Sequence, residues 1–94
     1  GLKGYAITAG AGNKLEKFPV EVIALQYDFG LGFPLVLVKA SGEFIETTGG
    51  VAAGMSGSPV YLPTSNGDAL LGAISRVFPE SDHKLALVTP IEQM

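Results

Sequence analysis

The sequence predicts an all-β fold, a small six-stranded barrel, on the basis of three observations. Short apolar runs alternate with clusters of Gly, Pro, Asn, Asp and Ser along the whole chain. Within these runs the hydrophobic residues recur at every second position, which is the period of a strand and not of a helix. Only residues 42–48, GEFIETT, could hold a helical turn. Because many short strands with almost no helix are typical of closed sheets, we expect a closed or partly open barrel.

The first three predicted strands lie in the N-terminal half of the chain. They cover residues 3–8 (KGYAIT), 18–26 (FPVEVIALQ) and 34–40 (PLVLVKA). In the second strand, the period of two predicts that one face carries Phe18, Val20, Val22 and Ala24. The third strand is a continuous apolar run, which predicts burial on both faces.

The last three predicted strands follow a glycine-rich segment. They cover residues 59–63 (PVYLP), 69–78 (ALLGAISRVF) and 85–90 (LALVTP). The first two of these form a hairpin, because Asn66-Gly67 between them is a dipeptide that accepts the positive φ angles of a type I′ turn.

The composition excludes several classes of function. A chain of 94 residues makes one domain. Its net charge of −3 comes from dispersed residues and provides no basic patch, so nucleic acid is not an expected partner. With no cysteine and a single histidine, His83, the chain is expected to bind no metal and no cofactor. No apolar run approaches the ~20 residues of a membrane-spanning helix, and the N-terminus lacks the layout of a signal peptide.

The segment GMSGSP at residues 54–59 is the candidate functional site. It lacks the G-x-S-x-G spacing of an α/β-hydrolase nucleophile elbow, and a strand follows it where that elbow requires a helix. Its order of residues instead resembles the nucleophile loop of chymotrypsin-like serine peptidases. In such a loop Ser56 offers Oγ as the nucleophile, the N–H groups of Gly54 and Ser56 converge on an oxyanion, and Gly57 leaves room for the acyl group. A simple turn between strands is the alternative, since Gly and Ser are common in turns.

Nearly the whole chain resembles the serine peptidases typified by the stage IV sporulation protein B of endospore formers. The likeness rests on EKFPVEV at residues 16–22, TGGVAAGMSGSP at residues 48–59, LLGA at residues 70–73 and TPIEQM at residues 89–94. The resemblance implies a chymotrypsin-like barrel, a peptide or protein substrate, Ser56 as the nucleophile and Ser58 as a neighbour that shapes the loop. It also implies an extracytoplasmic or cell-envelope setting in a bacterium.

Two elements that the resemblance implies are missing from this sequence. The family places a catalytic histidine before the EKF segment, and no histidine precedes Ser56 here. It places an acidic residue after the third strand, where this chain reads Ala40-Ser41-Gly42. We therefore interpret residues 1–94 as the serine-bearing barrel of a longer peptidase, with the catalytic histidine supplied from outside this chain. The alternative is a relative that has lost catalysis and serves as a binding or structural module.

A few polar residues are candidates to replace the missing base and acid. His83 lies beyond Ser56 in the polar loop PESDHK, either as an ordinary exposed residue or as a base that the loop folds back to supply. Three carboxylates could orient a base but are more simply solubilising loop residues: Asp28, Glu43 and Glu46.

Two short glycine-rich segments resemble the binding loops of other protein classes. FGLGF at residues 29–33 matches the carboxylate-binding loop of PDZ domains, which bind a peptide as an added strand. Pro34 removes an N–H group from the strand that would pair with that ligand, and no periodic segment predicts the helices of such a domain, so PDZ-like binding is the weaker alternative. GAGNK at residues 10–14 lacks the Ser or Thr that follows the lysine of a phosphate loop.

The hydropathy of the chain predicts exposed apolar surface. A mean hydropathy of +0.36 is high for a small domain, and a half-enzyme exposes the face that met its other barrel. We therefore expect an apolar patch that serves either a homo-oligomer or a contact with a second barrel.

Overall fold

A computed structural model describes residues 1–9, 14–27, 32–51, 53–78 and 84–93. Within these ranges the chain forms six strands, one α-helix and short 3-10 turns. The strands are β1 (Lys3–Ala9), β2 (Leu15–Tyr27), β3 (Pro34–Ala40), β4 (Pro59–Thr64), β5 (Gly67–Val77) and β6 (Leu85–Pro90), and the helix is α1 (Glu43–Thr48). Asp28, His83 and most of the FGLGF and GAGNK segments lie outside the described residues.

The six strands close into one antiparallel barrel in the order β1-β2-β3-β6-β5-β4. The closure between β1 and β4, here called the β1–β4 seam, consists of two residue pairs, Tyr5 with Tyr61 and Ala6 with Val60. Every other neighbouring pair of strands has a longer ladder. The predicted all-β fold and the closed barrel are therefore confirmed, and the seam is the shortest ladder in the barrel.

One cluster of buried apolar side chains fills the barrel. Its largest fully buried members are Phe18, Ile45, Ile74, Val38, Val60 and Val88. Each such side chain contributes about 1.5–3 kcal/mol through burial. The predicted helical turn is α1, which joins this core through Ile45 and through Phe44, whose ring stacks on that of Phe18 with 6.0 Å between centroids. The helix is thereby fixed to the barrel, and the chain that follows it starts from a rigid point.

One face of β2 differs from the prediction. Between Val22 and Ala24 the pairing of β2 with β3 shifts by one residue. After this bulge Leu25, and not Ala24, lies opposite the core residue Val36. Because a β-bulge reverses the alternation of faces, the predicted placement of Ala24 on the same face as Phe18 is wrong.

The third strand is buried less completely than its apolar sequence predicts. Its core-facing side chains are Val36, Val38 and Ala40. On the outer face Leu35 is buried, but Leu37 is half-buried and Lys39 is exposed. The wall of a barrel has one inward and one outward face, and only the inward face is always covered. The prediction of burial on both faces is therefore wrong for most of the strand.

The predicted hairpin joins β4 and β5, with its turn one residue earlier than expected. Thr64 pairs with Gly67, so the two-residue loop is Ser65 and Asn66. The Thr64 hydroxyl accepts a hydrogen bond of 3.1 Å from the Asn66 N–H and donates one to the Gly67 carbonyl. Gly67, with φ 103°, is the first residue of β5 and not part of the loop. The Thr64 side chain thus helps to fix the register of the β4–β5 hairpin, which the sequence analysis attributed to Asn66-Gly67 alone.

The predicted exposed apolar side chains are present. The described ones are Leu2, Leu15, Ile23, Leu25, Tyr27 and Ile91. Three of the six, Ile23, Leu25 and Tyr27, lie in β2 at the bulge or after it. The oligomer or second-barrel contact that they were expected to serve stays a prediction. Among the described helices, none has the length and apolar character needed to cross a membrane.

Candidate functional site

The end of α1 sets the direction in which the GMSGSP segment begins. Gly49 ends the helix in the left-handed conformation, with φ 79° and ψ 16°. The Gly50 N–H donates to the Ile45 carbonyl at 2.9 Å, and the Thr48 hydroxyl donates to the Gly50 carbonyl at 2.8 Å. This pattern is a Schellman-type helix end, in which glycine accepts the positive φ. The TTGG sequence therefore has a structural function that our sequence interpretation missed, although a Gly pair after a short helix is its recognisable signal.

Two buried residues, one before a short 3-10 helix and one at its end, hold the segment against the core. Val51 and Met55 both belong to the core cluster. Between them the chain forms a 3-10 helix over Ala53–Met55. Gly54 lies inside this helix and is exposed. Between these two buried residues, Gly54 is therefore held at the surface.

A set of main-chain hydrogen bonds fixes the exit from the segment. The Gly57 N–H donates to the Ile74 carbonyl at 2.7 Å, and the Ile74 N–H donates to the Ser58 carbonyl at 2.9 Å. The Ser58 N–H donates to the Met55 carbonyl at 3.1 Å. Ser58 is itself buried. These bonds connect the segment to β5, and the loop-shaping function of the Ser58 side chain, which the resemblance implies, stays a prediction.

The three predicted site residues lie together on the exposed part of the segment. Ser56 and Gly57 form the turn that follows the 3-10 helix, and both are exposed. Gly57 has φ 92°, which side-chain-bearing residues rarely adopt. A Cβ added to Gly54 or Gly57 would meet no atom within 4 Å. Ser56 is therefore presented to solvent, and the residue after it and the residue two before it carry no side chain that could cover it.

These residues form one wall of an open cavity of about 550 Å³. The described lining residues are Ile7, Thr8, Ala9, Leu15, Gly54, Ser56, Gly57, Ser58, Pro59 and Tyr61. This volume is within the usual range of ligand pockets. Among the described residues of the lining, none is a histidine, an aspartate or a glutamate. The cavity thus combines the exposed Ser56 hydroxyl with a lining of both polar and apolar residues.

The candidate carboxylates of the described chain are not at this cavity. Glu43 and Glu46 are exposed on α1. Glu46 forms an ion pair with Lys84, whose Nζ lies 2.6 Å from Glu46 Oε1. Neither residue lines the cavity, so the structure does not bring them to Ser56. Asp28 and His83 lie outside the described residues, and their proposed functions stay predictions.

The rest of the described lining has no signal in the sequence. It comes mainly from the end of β1 and from Tyr61 of β4. The Tyr61 ring stacks on that of Tyr5 with 5.3 Å between centroids. The Tyr5 hydroxyl donates a hydrogen bond to the Asp68 carboxylate, and this bond is the main reason that the pKa of Tyr5 is raised. Apolar residues near a strand end carry no local signal for a cavity, because the cavity exists only where two distant strands meet.

The family model described as SpoIVB peptidase S55 matches residues 3–94. The chain belongs to the SpoIVB peptidase S55 family. The match covers all six strands of this S55 barrel and the GMSGSP segment. No curated protein and no solved structure gives a significant match.

Proposed function

We propose that this S55 chain is the serine-bearing domain of a peptidase, with Ser56 as the nucleophile. The observation that supports the proposal is the position of Ser56, exposed at the wall of a cavity that Gly54 and Gly57 also line. Buried Met55 and Ser58 hold the segment in place on either side of it. A nucleophile needs this combination of access and fixed position.

The proposed reaction is acyl transfer. Ser56 Oγ forms a bond to the carbonyl carbon of a peptide while its proton passes to a general base, giving a tetrahedral intermediate. The negative oxygen of this intermediate accepts hydrogen bonds from the main-chain N–H groups of Gly54 and Ser56. The C–N bond then breaks, the amine leaves with the proton from the base, and water releases the acyl group by the reverse sequence. Gly57, which has no side chain, leaves space for the acyl group.

The general base is proposed to come from outside these 94 residues, as a histidine. The support is the described cavity lining, which contains no group able to accept the Ser56 proton at neutral pH. The family resemblance, in which the histidine precedes the EKF segment, points the same way. An unassisted serine hydroxyl is a weak nucleophile, so the 94 residues alone should be nearly inert.

A second candidate function is a peptide-binding module without catalysis, and the 3-10 helix over Ala53–Met55 favours it. In a 3-10 helix the N–H groups donate to carbonyls three residues earlier. The Ser56 N–H, which follows this helix, is directed back along it by that geometry. It must turn outward before it can bind an oxyanion, so the convergence of the Gly54 and Ser56 N–H groups stays a prediction.

Labelling with a fluorophosphonate separates the two functions. A protein that includes the segment preceding Gly1 should form an adduct at Ser56, found by mass spectrometry, and should lose it on Ser56→Ala. The chain of residues 1–94 should stay unlabelled, because an oxyanion hole without a base leaves only about 10³–10⁴ of rate enhancement over water. If the longer protein never labels, the binding module is the correct function.

Two further variants control this experiment. Ser58→Ala retains the exposed hydroxyl of Ser56 and should retain part of the labelling, since Ser58 acts through the shape of the loop. Labelling of the 94-residue chain that disappears on His83→Ala would show instead that His83 is the base. That result would make the domain self-sufficient and would contradict the proposal of an external histidine.

A further inference from the structure

Two buried side chains, besides that of Ser56, bring hydroxyl groups to the cavity. Thr8 and Ser58 both line it, and their exposed fractions are only 5% and 8%. Neither hydroxyl forms a hydrogen bond with a described residue, and no described polar side-chain atom is at once fully enclosed and without a partner. Each hydroxyl oxygen must therefore reach the open space of the cavity. Buried polar groups without a protein partner are uncommon and indicate a place where another molecule supplies the hydrogen bond.

The register of the β1–β4 seam explains why these two hydroxyls lie near each other. Ala6 pairs with Val60, so the same register continued by two residues places Thr8 opposite Ser58. Opposite residues of an antiparallel pair share a face, here the inward face that Ala6 and Val60 occupy in the core. Among the described residues the ladder ends at Ala6, and the two hydroxyls do not bond to each other. They therefore border a gap that one further polar group could fill.

The side of the cavity nearer to solvent is apolar. The registers of β1 with β2 and with β4 place Ile7, Leu15 and Tyr61 on the outer face of the barrel. Leu15 is exposed, and Ile7 and Tyr61 are half-buried, whereas Thr8 and Ser58 are buried. A side chain that enters from the surface thus meets apolar groups first and the two hydroxyls at the bottom.

Contacts outside the cavity fix the ring of Tyr61. It stacks on the ring of Tyr5, whose hydroxyl donates to Asp68 and whose ring centroid lies 4.0 Å from Lys17 Nζ. A ring that is already fixed loses little conformational entropy when a ligand packs on it. None of the described lining residues carries a charged side chain, so a charged group would lose its hydration without gaining a partner. The lining therefore fits a neutral, preferably aromatic, side chain.

We propose that Thr8 and Ser58 are specificity-determining residues, whose hydroxyls bind the phenolic hydroxyl of a substrate tyrosine. The proposal rests on the proposed peptidase function and names its substrate class: peptides with tyrosine next to the bond that Ser56 attacks. The tyrosine ring packs on Tyr61, and its hydroxyl donates to one of the two protein hydroxyls and accepts from the other. Sites that hydrogen-bond a substrate hydroxyl discriminate against the analogue that lacks it, because their own polar groups then stay unpaired.

NMR titration of the 94-residue chain tests the pair without catalysis. N-acetyl-tyrosinamide should shift the amide signals of Thr8 and Ser58. It should bind about tenfold more tightly than N-acetyl-phenylalaninamide, which lacks only the phenolic hydroxyl. Thr8→Val replaces the protein hydroxyl by a methyl group of the same shape and should remove this preference by weakening the binding of the tyrosine derivative alone. Thr8→Ser keeps the hydroxyl and should retain the preference.

Further variants show whether the preference belongs to this pair. Ser58→Ala should reduce the preference as Thr8→Val does. Thr89→Val is the matched control, because Thr89 is a half-buried threonine of β6 that does not line the cavity, and it should keep the preference. In a longer protein that cleaves peptides, the ratio of kcat/KM for a tyrosine peptide to that for its phenylalanine analogue should fall about tenfold on Thr8→Val.

Several results would overturn the inference. Equal binding of the two derivatives, or no shift at Thr8 and Ser58 up to the solubility limit, would show that the hydroxyls do not bind a substrate side chain. Tighter binding of N-acetyl-lysinamide would contradict the neutral class. Loss of the preference in Thr89→Val would show that the variants act through stability alone.

The same measurements separate this inference from the proposed function. A preference for tyrosine in a protein that never labels at Ser56 would support the pair and would identify the chain as a peptide-binding module. Labelling of Ser56 in the longer protein, without any preference for tyrosine, would support the peptidase function and refute the pair.

Discussion

Two pairs of glycines in this barrel differ in why they must be glycine. In the strands, a Cβ added to Gly4 or to Gly72 would lie 2.0 Å or 1.9 Å from a carbonyl oxygen of the neighbouring strand. In the GMSGSP segment, a Cβ added to Gly54 or Gly57 would meet nothing within 4 Å. The strand glycines are thus required by close packing of backbones. The loop glycines are not.

The comparison separates residues that build the barrel from residues that serve the site. At position 57 the conformation still favours glycine, since φ of Gly57 is 92°. Gly54 lies in a 3-10 helix, and its φ is not in the positive range, so neither contact nor conformation requires glycine there. Of the four, Gly54 is the one for which only the proposed chemistry supplies a reason. The glycine variants that lose the most stability should therefore not be the ones that lose the most fluorophosphonate labelling at Ser56.

The largest loss of stability is expected for Gly72→Ala. The added Cβ would overlap the Thr89 carbonyl oxygen, and because backbone cannot move aside as a side chain does, β5 and β6 would have to separate. We expect a loss of about 3 kcal/mol or more in the free energy of unfolding, at the upper end of overpacking effects. Urea denaturation measures it. A change as small as that of Ala69→Gly, an exposed position in the same strand, would contradict the contact.

A smaller loss is expected for Gly4→Ala. Its Cβ would lie 2.0 Å from the Tyr61 carbonyl oxygen, but the β1–β4 seam has only two residue pairs and can open at lower cost. We expect the free energy of unfolding to fall by about 1–3 kcal/mol. The amides of Tyr5 and Tyr61 should then exchange faster than in the parent chain. If exchange instead rises equally in all strands, the seam is not the weakest ladder.

Gly57→Ala should destabilise the chain by about 1–2 kcal/mol, because alanine is strained at φ 92°. Gly67→Ala is its matched control, with φ 103° and likewise no atom within 4 Å of the added Cβ. The two variants should lose similar stability in thermal denaturation. Only Gly57→Ala should reduce fluorophosphonate labelling of the longer protein. An equal loss of labelling in both variants would show that labelling reports stability alone.

The smallest effect on stability is expected for Gly54→Ala. The residue has helical geometry and free space, so alanine should leave the free energy of unfolding unchanged or raise it by about 0.5 kcal/mol. Labelling at Ser56 should nevertheless fall about tenfold or more, because the alanine restricts the turn of the main chain that an oxyanion site requires. Full labelling of this variant would show that Gly54 is not part of the proposed oxyanion site.

Much of the fold could be predicted because its signals are local. Short apolar runs between turn residues identified every strand, and β3 and β6 have the predicted bounds. GEFIETT contains the helix, and GMSGSP forms an exposed segment with Ser56 at the surface. Each of these features depends on residues that are neighbours in sequence. Two of the errors, at Ala24 and in the loop before Gly67, arose where a bulge or a side-chain hydrogen bond shifted the register by one residue. The third, burial of β3 on both faces, arose because the sequence does not show which outward face stays uncovered.

The sequence by itself determined the barrel, the strand order along the chain and the serine that the family resemblance singles out. Only the tertiary structure decided what surrounds that serine. The cavity joins the end of β1 to the GMSGSP segment, about fifty residues apart in the chain. The β1–β4 seam stops there because Pro59 has no N–H group for the Ile7 carbonyl and the Gly57 N–H is already bonded to the Ile74 carbonyl. A proline at the start of a strand is an ordinary local feature, and it limits the seam only because barrel closure places β1 opposite it.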